Sequence, residues 1–378
     1  MIPKAVFEET VLQFFGPVRA FLDDPAVSEI MINGPNQIYI ERKGMLELTD
    51  AKFANREALM AALRNLSQYV GKHLNDERPI LEGRFPDGSR VEALIPPVAP
   101  DGPSVSIRRF FKETLTMQRL IDFGSMTPVA AKSLEAFVVG KTNLLVAGGT
   151  GSGKTSMLNA LSGFIPDGER VVIIEDSREV QFQKPHVVQL EARPSDRKGR
   201  GGVSIRDLFR ATLRMRPDRV IVGEIRGGEA LDIIQAMTSG HGGCMGTLHA
   251  TFPHDTLTRL ETMCMMSDIE MPLAAMRSQI GSGVQIILQV ARLQDGSRRV
   301  THISEVTGFD LVTQKYTVQD IFERRYHGLD DKQRIVSELL PTGILPSCMS
   351  QLEEHGVTLP DAVLERAKAN IGTSHAHR

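Results

Sequence analysis

At 378 residues the chain is long enough for two or three domains with a buried core. Its 41% hydrophobic and 24% charged content is that of an ordinary globular protein, and a net charge of −2 supplies no global basic field for nucleic acid. Three scattered cysteines, Cys244, Cys264 and Cys348, exclude a C-x-x-C zinc site and a disulfide framework, which fits a reducing compartment.

From the N-terminus, Phe7, Val11, Phe14, Phe15, Val18, Phe21 and Leu22 recur at helical spacing. Glu8, Glu9, Asp23 and Asp24 interrupt that stretch, so it is expected to be an amphipathic docking helix and not a signal peptide. No window approaches 18 consecutive apolar residues, so no membrane span is expected. Val27 to Glu41 predicts two strands around the turn Asn33-Gly34-Pro35-Asn36, and Phe53 to Val70 predicts a helix with Leu59, Leu63 and Leu66 on one face. Arg90 to Ile95 and Val105 to Phe110 complete a small α+β domain, taken as residues 1–110. Residues 111–140 predict a helical connector, with Thr127-Pro128 as cap and first-turn proline.

From Thr142 the pattern changes to apolar strands alternating with helices. Leu144–Ala147, Val171–Ile174, Val187–Leu190, Val220–Val222, the segment before His249 and Val284–Val290 predict a mainly parallel sheet covered on both faces. A hairpin over Ala291–Ile303 turns at Asp295-Gly296. This second domain is taken as 141–369, with a disordered tail over 370–378. Arg193, Arg197, Lys198 and Arg200 form a short basic run, read equally well as a local patch or a solvated loop.

Gly148-Gly149-Thr150-Gly151-Ser152-Gly153-Lys154-Thr155 matches G-x-x-x-x-G-K-[ST] between the first of these strands and a helix. Glycines let successive N–H groups converge on one point, and the positive end of the helix faces the same place. Lys154 would reach the β/γ-phosphates and Thr155 would offer a hydroxyl to Mg²⁺, so the pattern predicts bound ATP. Carboxylates close two other strands, Glu175 after Val171–Ile174 and Glu224 after Val220–Gly223. In a parallel sheet, ligands collect at those strand ends. Glu175 is read as the general base, in roles that it and Glu224 could exchange. Glu224 is read as the Mg²⁺-side carboxylate, acting through a water because Gly223 replaces the Asp usual before it. His241 and His249 flank a run of small residues, and an imidazole there could respond to the γ-phosphate. Arg108, Arg109 and Arg226 are the guanidinium candidates for the transferring phosphate.

These segments resemble a known family. The glycine loop is joined by Ile173-Ile174-Glu175-Asp176-Ser177-Arg178-Glu179, by Leu213 through Ala230 around Gly223-Glu224-Ile225-Arg226, and by Gly240-His241 to Leu248-His249-Ala250. Together they are similar to the motor ATPases of type II and type IV secretion, and most similar to the CpaF-type ATPases of Tad pilus assembly. Ser28 to Pro35, Pro86 to Val91, Val105 to Phe110, Val290 to Leu293 and Gly296 to Thr301 extend the likeness over nearly the whole chain. Arg178 and Thr251-Phe252 depart from the family pattern, and a long N-terminal extension of the sort some relatives carry is not expected.

The resemblance implies an α/β RecA-like core behind a smaller α+β, PAS-like N-terminal domain. It also implies a homohexamer that binds ATP between the two, with Glu175 and Glu224 serving hydrolysis. The Arg108-Arg109 region would lie near the phosphates, and His241 and His249 fall on the family's histidine box. The expected partner is an inner-membrane pilus or secretion platform protein, and the expected location is cytoplasmic, peripheral to the inner membrane through that partner. A type IV secretion traffic ATPase or an archaellum-like motor is the alternative. A RecA-like DNA translocase is the rival from another class, and the net charge of −2 opposes it; no nucleic acid partner is expected.

Overall fold

The computed structural model describes residues 4–42, 44–110, 115–195 and 199–375. Arg197 and Lys198 of the basic run, residues 111–114 of the expected connector and the last three residues of the tail lie outside that range. The chain divides into two compact units, 1–113 and 114–378.

The first unit contains α1 (Lys4–Phe14), α2 (Gly16–Asp23), β1 (Val27–Asn33), β2 (Ile38–Arg42), β3 (Met45–Leu48), α3 (Arg56–Tyr69), β4 (Ile80–Arg84), β5 (Arg90–Leu94) and β6 (Ser104–Arg108). Its six strands run antiparallel in the order β3-β2-β1-β6-β5-β4. The expected single docking helix is two helices. Pro17 sits in the first turn of α2, where its missing N–H is tolerated, so the chain restarts there. Val11, Phe15, Val18 and Leu22 are buried in the unit's own core, and the Phe15 ring meets Phe85 edge-on at 4.8 Å. The apolar face read as a docking surface therefore packs against β1, β2 and α3 residues such as Ile30, Ile40 and Leu63.

The second unit contains α4 (Met117–Asp122), α5 (Pro128–Val139), β7 (Leu144–Gly148), α6 (Lys154–Ser162), β8 (Val171–Glu175), β9 (Val187–Glu191), α7 (Ile205–Thr212), β10 (Arg219–Val222), α8 (Glu229–Thr238) and β11 (Met245–Leu248). It continues with α9 (Pro253–Cys264), α10 (Leu273–Gly283), β12 (Ile286–Arg292), β13 (Arg298–Asp310), β14 (Lys315–Leu329), β15 (Ile335–Pro341), α11 (Met349–Glu354) and α12 (Asp361–His375). Nine strands form one mixed sheet, β15-β14-β13-β12-β7-β11-β10-β8-β9. From β12 to β9 every neighbour pair is parallel, and β13, β14 and β15 add an antiparallel wing.

On β7 the side chains alternate between two cores, as the two-residue period of a strand requires. Leu144 and Val146 pack with α5 and α6, and Leu145 and Ala147 with α8, α9 and α10. The helices read as a connector belong to the first of these cores, because Leu120, Ala130, Leu134 and Phe137 are buried in it. β9, expected as a buried strand, is the half-buried edge. α12 runs through 370–375, where a disordered tail was expected.

Candidate functional site

The C-terminal ends of four adjacent parallel strands bring the glycine loop, His249, Glu224 and Glu175 into one row. β7 leads into the loop, β11 ends before His249, β10 ends two residues before Glu224, and β8 ends on Glu175. The loop is tightly built. Gly151 and Gly153 have φ of +69° and +94°, where a Cβ is strained, and a Cβ on Gly148 would stand 2.4 Å from Val290 O. The Lys154 side chain is folded back into this loop. Its Nζ donates to Gly148 O and Gly149 O, each at 3.1 Å, and lies 3.4 Å from His249 Nε2.

Glu175 is 3% exposed, and its Oε1 accepts from the N–H groups of Glu179 and Val180, both at 2.8 Å. Burial raises its pKa to about 7, against the opposite pull of those two bonds. The neighbouring strand shows why Gly223 stands where a side chain is usual: a Cβ there would meet Glu175 Cγ at 2.6 Å. Glu175 thus occupies the volume that a residue-223 side chain would need. A Gly223→Ala variant is expected to lose about 1–3 kcal/mol of stability, the usual cost of overpacking, as read by denaturant unfolding. Unchanged stability would show that Glu175 moves aside freely.

Glu224 Oε1 lies 2.8 Å from His249 Nε2, and its Oε2 accepts from Arg226 Nε at 2.8 Å. Arg226 continues the chain of charges to Asp176, 3.6 Å away. Burial, and then the Lys154 ammonium, hold the His249 imidazole below its ordinary pKa although Glu224 pulls the other way. The turn carrying these groups is fixed by Glu229, whose Oε1 accepts from Arg226 N at 2.7 Å and Gly227 N at 2.9 Å. Thr247 Oγ1 donates to Gly223 O at 2.6 Å and ties the turn to β11.

Within the second unit, one residue expected at the site does not join this row, and the two arginines of the first unit have partners there. His241 precedes β11, at the opposite edge of the sheet, where the following Gly242 and Gly243 lie against Lys141 and Arg219. Strand direction separates the two histidines: a residue before a parallel strand and one after it face opposite edges. Arg109, in the first unit, donates from Nη1 to Phe21 O at 2.6 Å and Asp24 O at 3.1 Å, holding the end of α2. Arg108 closes β6 opposite Glu29 and Arg90 and is exposed. Conversely, Arg298 was not singled out, yet it donates from Nε to Gly151 O at 2.9 Å. Its place in Gly296-Ser297-Arg298-Arg299 was visible, but its contact joins residues 147 positions apart.

A central parallel strand that ends in a glycine loop, with a lysine opening the next helix and glutamates closing neighbouring strands, defines an α/β protein whose candidate site gathers at the strand ends. The chain belongs to the type II/IV secretion system protein family, whose model matches residues 12–343. It is 33% identical to a putative conjugal transfer protein of Mycobacterium tuberculosis over 82% of this chain and 89% of that protein. It is also 33% identical to the type IV secretion system protein PtlH of Bordetella pertussis, over 76% of this chain and 92% of that one. Among solved structures, the pilus retraction motor PilT with bound ADP aligns with a TM-score of 0.54 over 92% of this chain and 86% of that chain. At 17% identity that likeness concerns the fold. Among the described residues, no helix is long and apolar enough to cross a membrane.

Proposed function

We propose that the chain is a RecA-like motor ATPase that hydrolyses ATP to drive a Tad-type pilus assembly or secretion machine. The observation carrying this reading is the buried Glu175 carboxyl, in the same row of strand ends as a loop whose lysine already lines it. The loop's N–H groups and Lys154 would hold the phosphate chain. Glu175 would take a proton from the attacking water as its oxygen bonds to the γ-phosphorus and the bond to the β–γ bridging oxygen breaks. His249, between Lys154 and Glu224, would sense the γ-phosphate, because a triphosphate that draws Lys154 away removes a charge beside the imidazole. Thr155 and, through a water, Glu224 supply oxygen donors for Mg²⁺, an ion that takes few protein ligands beside phosphate and offsets charge on the phosphate oxygens when bound.

The chain would act as a cytoplasmic homohexamer, held at the inner membrane by a platform protein, with Arg226 or Arg108 offered to the transferring phosphate. Arg109 is the weaker candidate because backbone carbonyls of its own unit hold it. A second reading, a type IV secretion traffic ATPase, is favoured by the conjugal transfer and PtlH relatives.

Light scattering with and without a non-hydrolysable ATP analogue, beside a steady-state phosphate-release assay, tests the common part. A six-fold mass and continuous turnover are expected; a folded chain that stays monomeric and releases no phosphate overturns the motor reading. Identifying the membrane protein captured in the presence of the analogue separates the two machines. DNA-stimulated, salt-sensitive turnover would instead support a translocase.

A further inference from the structure

The motif Gly296-Ser297-Arg298-Arg299-Val300 has no part in the hydrolytic chemistry above, yet three of its consecutive residues touch two separate segments. On one side, Arg298 holds the carbonyl of Gly151 at the tip of the phosphate loop, and its Cδ lies 3.3 Å from where a Cβ on Gly153 would be. Arg292, paired with Arg298 across the β12–β13 hairpin, brings a second guanidinium nitrogen to 3.5 Å from where a Cβ on Gly151 would stand. On the other side, Arg299 donates to Phe123 O and lies over Gly124, where a Cβ would stand 2.8 Å from its Nη1. Val300 N donates to Ser125 O at 2.9 Å, Ser125 Oγ donates back to Arg298 O at 2.8 Å, and Arg324 Nη2 reaches Ser125 O at 2.7 Å. The first residues of β13 are thereby fixed both to the loop and to the turn between α4 and α5.

The geometry points to Arg298 as a positioning residue for the phosphate loop, one that also links the loop to the α4–α5 turn through Arg299 and Val300. The reason is electrostatic. A guanidinium on the Gly151 carbonyl fixes that peptide plane and polarises its other end, the N–H of Ser152. That N–H makes only a long 3.4 Å bond to Gly149 O and is one of the loop donors a phosphate would take up. A second cation beside the loop also favours a polyanion. Any rearrangement of the loop on binding is then passed to Arg298 and, through the backbone of one strand, to Phe123–Ser125, the turn following the first helix of the second unit.

This inference rests on Gly148–Thr155 being a triphosphate site, and the experiment separates the two. In the full-length protein, calorimetric binding of a non-hydrolysable ATP analogue to Arg298→Ala is expected to weaken about tenfold, the loss of one charge-assisted contact. Turnover at saturating ATP should stay within about threefold of wild type, because Arg298 orients the loop and touches no reacting atom. Arg298→Lys should recover most of the affinity, which a purely structural role would not predict. Hydrogen exchange at 120–126 should respond to the analogue in wild type and lose that response in Arg298→Ala held at saturation.

If wild type binds the analogue and Arg298→Ala binds it within twofold, the positioning role is overturned. An unchanged exchange response overturns the link to the turn. Failure of wild type to bind removes the triphosphate site itself, and this inference with it. Should Arg298→Ala not fold, Arg298→Gln, which keeps a donor without the charge, gives the same reading.

Discussion

Replacing Lys154 by Ala is expected to lower ATP turnover by about 10²–10³, the loss typical of removing one preorganised electrostatic group. Lys154 is 9% exposed and its ammonium already lies in the loop, bonded to Gly148 O and Gly149 O, so little rearrangement is needed for it to meet a phosphate. The same bonds give the variant a second signature. Two loop carbonyls lose a donor, which costs on the order of 1 kcal/mol and a small fall in melting temperature. Lys154→Gln keeps a donor without the charge and should recover the stability but not the turnover. Turnover within threefold of wild type in a folded Lys154→Ala protein would remove the phosphate site from this loop.

The second large effect concerns Glu175. Glu175→Gln is expected to lower turnover by about 10²–10⁴, the contribution of a general base, while the ATP analogue binds as before. The amide oxygen can still accept from Glu179 N and Val180 N, so the local backbone is kept. The pH dependence has a definite sign. With the carboxyl's pKa raised to about 7, kcat/KM in wild type should fall about tenfold per pH unit below that value, since a protonated carboxyl cannot take the water's proton.

Stability should move the opposite way. Between the ordinary carboxylate range and about pH 7 the folded protein holds a proton that the unfolded chain has released, so stability declines as pH rises through that window. Glu175→Gln removes this decline and should melt higher than wild type at pH 8. A Glu175→Gln protein that hydrolyses ATP normally, beside a Glu224→Gln protein that does not, would assign the base to Glu224 instead.

Much of this site was legible because its signals are local. The glycine loop needs eight consecutive residues, and the carboxylates each end an apolar run that can only be a buried strand. The antiparallel wing was less legible. β14 carries Glu323-Arg324-Arg325-Tyr326-His327, a polar stretch that does not read as a strand, and it is held by pairing with β13 and β15. Arg324 within it is buried, and its guanidinium bonds to Val300 O, Ser125 O and Ser337, carbonyl and hydroxyl partners distant in sequence. The first helix misled for a related reason. An amphipathic pattern tells that one face is covered, not what covers it, and here its own domain does.

Gly223 makes the same point at the site itself. In sequence it is a departure from an expected acidic position; in the fold it is the space that Glu175 fills. The glycine loop, the parallel strands and the pair of strand-end glutamates are each encoded in contiguous residues whose spacing matches strand, turn or helix geometry. Which distant residues of the second unit reach them depends on the fold. Strand direction sends His249 to the loop and His241 to the far edge, and the β12–β13 hairpin brings in Arg298. Those outcomes depend on which strands become neighbours, and neighbour choice is set by burying whole faces of the sheet, a property no short stretch of residues carries.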